Sequence, residues 1–122
     1  MKRNLDRVRE ILLAAEEAAG TISIAPEDGE SLEDYEVRVY HAKLLCDAGY
    51  LNGVPFNTIG LSTRQYRIYG LTMKGHDYLD AVRDKSIWQR MRGILTGSEP
   101  MEAVRAMALA LATEAGKARL GL

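Results

Sequence analysis

Apolar positions recur at three- and four-residue spacing through Leu5, Val8, Ile11 or Leu12, Ala15 and Ala19. That spacing puts them on one face and predicts a helix over residues 4–19. Gly20 stands where a left-handed residue would close it. The period then changes. Thr21-Ile22-Ser23-Ile24 alternates and is β-branched, which predicts a short strand. Pro26-Glu27-Asp28-Gly29 is a turn, with Pro fixing φ and Gly able to take positive φ. Ser31 with Asp34 three residues on has the form of a capping box. A helix follows through Val37, Tyr40, Leu44, Leu45 and Ala48, and Gly49 ends it.

Residues 50–54 and 65–71 are the next two strands, and the turn-rich residues 55–63 between them make a β-hairpin with a long tip. Thr72 caps a helix to Arg83 that carries Tyr78, Leu79 and Val82. Ser86 is expected to cap a helix through Leu95, and Ser98 a last one with Pro100 in its first turn. Met101, Val104, Met107 or Ala108, Leu111 and Ala115 form its apolar stripe, and the tail after Gly116 is expected to fray. A helix running directly into a hairpin is the core of a winged helix. The expected fold is mainly α with a small β-hairpin, winged-helix-like in the order α-β-α-β-β-α, with additional C-terminal helices. Residues 1–84 form the core, with a helix-turn-helix and wing, and residues 85–122 a helical extension of the same domain.

Two segments carry that expectation further. Leu44-Leu45-Cys46-Asp47-Ala48-Gly49-Tyr50-Leu51 resembles the end of a winged-helix recognition helix and the entry to its wing. Tyr69-Gly70-Leu71-Thr72-Met73-Lys74-Gly75-His76-Asp77-Tyr78-Leu79 resembles the second wing strand and the helix after it. Over most of its first 95 residues the chain resembles the domain-of-unknown-function family numbered 2513. The segments that carry this are Met1-Lys2-Arg3-Asn4-Leu5-Asp6, the stretch Tyr40-His41…Leu44-Leu45…Ala48-Gly49, and Leu71-Thr72…Gly75-His76-Asp77-Tyr78-Leu79-Asp80-Ala81-Val82-Arg83-Asp84. The resemblance implies a bacterial or phage-borne protein and assigns no activity.

Length changes the picture little: 122 residues, nearly half of them apolar, suffice for one domain with a sizeable core. The lone Cys46 cannot form an internal disulfide, and the charged N-terminus never gives way to an apolar run. Both predict a cytoplasmic protein without a membrane segment.

Charge matters more. The formal net charge is −1, yet the distribution is polarised. Residues 27–36 hold six acids and no base, whereas residues 64–92 hold seven bases against three acids. Such a surface can steer a partner. The acidic run is read either as a phosphate mimic or as a solvated loop and a well-placed helix start.

The winged-helix reading nominates double-stranded DNA as a partner, through Arg38, Lys43, Arg64, Gln65, Arg67 and Lys74. The expected recognition helix, however, turns Val39, Ala42 and Cys46 away from its core face, and these are poor base readers. An apolar second face points equally to packing against another helix or a protein partner. Trp88, Met107 and Leu109 extend that reading to a homodimer.

Tyr66 and Tyr69 fall on opposite strand faces and build no stacking platform. His41 reads as a hydrogen-bonded core residue. His76 and Asp80 are two metal-capable groups without a third. Neither a phosphate-cradling loop, a nucleophile–base pair nor a carboxylate pair is legible, so no enzyme activity, cofactor or metal is expected. Two functions remain: a DNA-binding or regulatory protein with a basic wing, and a protein-interaction module on the same scaffold.

Overall fold

The structure, a computed structural model, describes residues 1–57 and 65–121. Its elements run in the order α1 (Leu5–Glu17), β1 (Ile22–Ile24), α2 (Leu32–Asp47), β2 (Leu51–Phe56), β3 (Gln65–Leu71), α3 (Met73–Val82), α4 (Lys85–Ile94) and α5 (Met101–Leu120). The mainly helical fold with a small antiparallel sheet is thus the one expected, in the order α-β-α-β-β-α. Residues 25–31 hold the turn expected around Pro26–Gly29, and α2 is the helix that runs from it into the hairpin.

The chain divides into two compact units, Met1–Gly75 and His76–Leu122, with the division inside α3. In the first unit the sheet order is β1-β3-β2, all antiparallel. Ile24, Tyr66 and Ile68 are buried on its inner face, against which α1 and α2 pack. α1 contributes Val8, Ile11, Leu12 and Ala15 to that core. Cys46 of α2 and Gly53 of β2 approach so closely that a Cβ on Gly53 would lie 3.0 Å from the Cys46 sulfur and 2.8 Å from the Arg67 carbonyl.

His41 joins the two helices. It is fully buried, its Nε2 accepts the Asn4 backbone N–H (2.8 Å), and its Nδ1 lies 2.8 Å from the Val37 carbonyl. With both ring nitrogens used, the imidazole is the satisfied core histidine the sequence suggests.

Local capping explains most boundaries. Asn4 Oδ1 accepts from the Asp6 and Arg7 N–H groups at the start of α1, and Ser31 Oγ from Asp34 N–H at the start of α2. Gly49, at φ +83°, turns the chain out of α2 as expected. Gly20 takes no positive φ: α1 ends instead at Ala18 in extended conformation.

The start of α3 is the tightest junction in the first unit. Thr72 Oγ1 accepts the Gly75 N–H (3.0 Å) and donates to the Gly49 carbonyl (2.5 Å), while Thr72 N–H donates to the Tyr50 carbonyl (3.2 Å). A Cβ on Gly75 would lie 2.0 Å from that Tyr50 oxygen. The threonine and glycine of this segment therefore have a geometric reason: hydroxyl and missing side chain together seat α3 on the exit from α2.

In the second unit α4 packs with α5. Asp84, rather than Ser86, caps α4, its Oδ1 accepting from Ser86 and Ile87 N–H. The carboxylate reaches two orphan donors at once, which a hydroxyl at 86 inside the helix cannot. Ser98 caps nothing, since α5 begins at Met101 with Pro100 at its N-cap. α5 also runs on to Leu120 instead of fraying after Gly116. Among the described residues, no helix is long and apolar enough to cross a membrane.

Candidate interaction surface

The six residues nominated for DNA contact meet very different fates. Arg38 is spent inside the protein. Its Nε donates to Glu30 Oε2 (2.7 Å), and its Nη2 to Glu30 Oε1 (2.9 Å) and the Ala25 carbonyl (2.7 Å); Nη1 sits 3.5 Å from Glu27. This fork binds the turn of residues 25–30 to α2 and accounts for two of the acids in the acidic run. The hydrogen bond from Arg38 holds the Glu30 carboxyl below its ordinary range. Gln65 is buried, so its amide cannot reach a phosphate. Lys43 pairs with Asp47 one turn on. Lys74 lies over the Tyr50 ring and near the Ala48 carbonyl at the end of α2, where a cation suits the helix dipole. Arg64 lies outside the described residues. Arg67 is exposed.

The solvent face of α2 also differs from a groove reader's. Its exposed positions are Leu32, Glu33, Asp34, Glu36, Lys43 and Asp47: four acids against one base. Phosphates would be repelled there. The inner face is rotated from the expected one. Tyr35, His41, Ala42 and Leu45 are its buried residues, while Val37 and Leu44 are half-buried and Ala48 is exposed. Ala42, expected to face outward, is fully buried. Val39 and Cys46 are half-buried. The reason is that α2 is apolar on several sides, so its period does not identify which stripe meets the sheet. Burial pushes the Cys46 thiol up from its ordinary range, with Asp47 adding to the effect, which disfavours the thiolate a nucleophile needs.

Of the nominated protein-interface residues on the C-terminal helices, Trp88 is buried and thus a core side chain, whereas Met107 and Leu109 are half-buried. Among the described residues, no three of His, Cys, Asp and Glu converge as a metal site would require.

What the structure assembles instead is a patch on the outer face of the sheet. The register aligns Ser23, Arg67 and Val54 across the three strands. The Arg67 guanidinium lies 4.8 Å from the Phe56 ring centroid, a cation–π contact. Tyr69, two residues along β3, is 55 % exposed, and Val54 is 44 % exposed. Tyr66 is buried on the opposite face, in keeping with the alternation the sequence predicts. Arg67 was legible as a surface cation, and Tyr69 shares its parity. Val54 and Phe56 were not, because the hairpin register that aligns them depends on pairing across a long loop and on the irregularity between Asn52 and Gly53.

Residues 2–99 match the family described as "Hypothetical protein (DUF2513)". An uncharacterised protein of Haemophilus influenzae is 37 % identical over 95 residues, covering 75 % of this chain and 76 % of the relative. No solved structure matches the chain.

Proposed function

The chain belongs to the domain-of-unknown-function family numbered 2513, and from that premise we propose that it is a non-catalytic binding protein whose outer sheet face docks a protein partner. The observation that carries this reading is the grouping of exposed Val54 and Tyr69 and half-buried Phe56 with Arg67, a patch more apolar and aromatic than cationic among the described residues. Aromatic residues and arginine dominate the energetic centres of protein interfaces. Binding to a phosphate backbone draws instead on several cations, each releasing counterions. The acidic face of α2 supports the same choice. The lone cysteine, Cys46, is a half-buried free thiol, which fits a cytoplasmic protein. Half-buried Met107 and Leu109 make α5 the natural contact for a homodimer.

The second reading is a winged-helix DNA-binding or transcription-regulatory protein, favoured by the exposure of Arg67 on the wing. Anisotropy of labelled duplex DNA at about 50 and about 200 mM salt separates the two. The protein-docking reading expects no salt-sensitive binding. Affinity that collapses between those salts and weakens in Arg67→Ala establishes the DNA reading instead. In parallel, a stoichiometric partner captured from a bacterial lysate should be lost with Tyr69→Glu and Val54→Glu and kept with Lys43→Glu. Capture that ignores the sheet substitutions rejects the surface named here.

A further inference from the structure

A cleft of about 180 Å³ opens beside α1 and β1, away from the outer face of the sheet. Its floor is apolar: Ile11 and Ala14 from α1, Ile22 and Ile24 from β1. Its rim is charged. Arg7 and Glu10 stand on the same α1 face as Ile11 and Ala14, at the i, i+3, i+4, i+7 spacing that aligns side chains along a helix. Arg38 supplies the third polar wall, but its guanidinium is engaged by Glu30, Glu27 and the Ala25 carbonyl. Arg7 and Glu10 are different. They approach each other at 3.9 Å, with side chains 38 % and 65 % exposed. A pair of that length and exposure holds itself together weakly. Arg7 also faces the negative charge of Glu30, so the rim as a whole does not favour a simple anion.

The cleft therefore presents one cation and one anion side by side above an apolar recess. We propose that it binds a free aliphatic α-amino acid as its zwitterion: the carboxylate on Arg7, the ammonium on Glu10, and the side chain against Ile11, Ala14, Ile22 and Ile24. An amino acid carries both charges on one carbon, which matches a guanidinium and a carboxylate 3.9 Å apart. The volume sets the side chain. An apolar cavity of about 150 Å³ holds a benzene ring, so leucine, isoleucine and methionine fit and glycine leaves the recess empty. This site is independent of the docking face proposed above.

The test is an amide-resolved NMR titration of the full chain with four probes: L-leucine, 4-methylpentanoate, isopentylamine and glycine. The second lacks the ammonium, the third the carboxylate and the fourth the side chain. L-leucine should shift amides of α1 and β1 with a Kd on the order of 1 mM, reasonable for so small a ligand. The other three should bind at least about tenfold more weakly, as should leucine to Arg7→Gln or to Glu10→Gln, because each loses one charge-assisted contact. Ala14→Phe, which fills the recess, should abolish the shifts. Absence of leucine binding at about ten times that concentration overturns the proposal. So does equal binding of 4-methylpentanoate or isopentylamine, or an unchanged affinity in the two charge variants.

Discussion

Replacing Gly75 by alanine adds one methyl group at a helix position where alanine is intrinsically preferred by about 1 kcal/mol. The structure predicts the opposite sign. The new Cβ would lie 2.0 Å from the Tyr50 carbonyl oxygen and 3.0 Å from its carbon. Cβ contacts shorter than about 3.0 Å essentially do not occur in folded proteins, so backbone must move by about an ångström. Neither side moves freely. Tyr50 N–H donates to the Leu45 carbonyl (2.9 Å), and its own carbonyl accepts Thr72 N–H (3.2 Å).

Forced repacking costs about 1–3 kcal/mol. Losing the Thr72–Tyr50 bond adds about 1 kcal/mol, and loosening the Thr72 cap on Gly75 about 1 more. With the propensity gain subtracted, Gly75→Ala should destabilise by about 2–4 kcal/mol. Urea unfolding followed by circular dichroism reads this as a lower midpoint. Gly93→Ala is the control. It lies in α4 with nothing within 4 Å of the added Cβ, so it should stabilise by up to about 1 kcal/mol. If Gly75→Ala is as stable as the parent chain, the close approach of α3 to Tyr50 is not what makes this glycine necessary.

Thr72→Val removes both the cap acceptor and the donor to Gly49, and should cost about 2 kcal/mol in the same assay, with Thr72→Ser recovering most of it. Arg38→Lys loses the two-pronged contact to Glu30, so limited proteolysis should cut residues 25–30 faster than in the parent, whereas Lys43→Ala should leave the cutting rate unchanged. Thr96 hydroxyl and backbone N–H hold the Glu99 carboxyl down from its ordinary 4.5 to about 2. A pKa depressed in the folded state contributes stability that is complete above about 4.5 and is lost as pH falls toward 2. Thermal midpoints measured across that window should fall less steeply with acid in Glu99→Gln, and an unchanged slope would count against the contact. Asp84→Ala should lower the unfolding midpoint more than Ser86→Ala, since both cap bonds of α4 end on the Asp84 carboxylate.

Much of the local structure was determined by the sequence itself. The three-and-four spacing of Leu5 to Ala15, the alternation of residues 21–24 and the turn chemistry around Gly49 each name an element through neighbours close in the chain. The Thr72 and Gly75 pattern was legible too, because a cap and a close approach each demand a particular residue type. Helix starts were less so wherever several polar side chains compete. Asp84 and Ser86 both suit a cap, and only the three-dimensional path of the chain chooses between them.

The candidate surface needed the tertiary structure. Arg38 reads as an open cation in the sequence, yet folding brings Glu27, Glu30 and the Ala25 carbonyl onto it. Its charge is thereby withdrawn from any partner. Ala42 lies on one of several apolar stripes of α2, and which stripe meets the sheet depends on α1, β2 and β3 together. Arg67, Val54 and Phe56 come from two strands whose register rests on backbone pairing across a long hairpin tip. Periodicity is a property of neighbours along the chain and identifies elements. Which faces meet, and which charges are left for a partner, is set by contacts between residues far apart in sequence, and only the folded chain decides them.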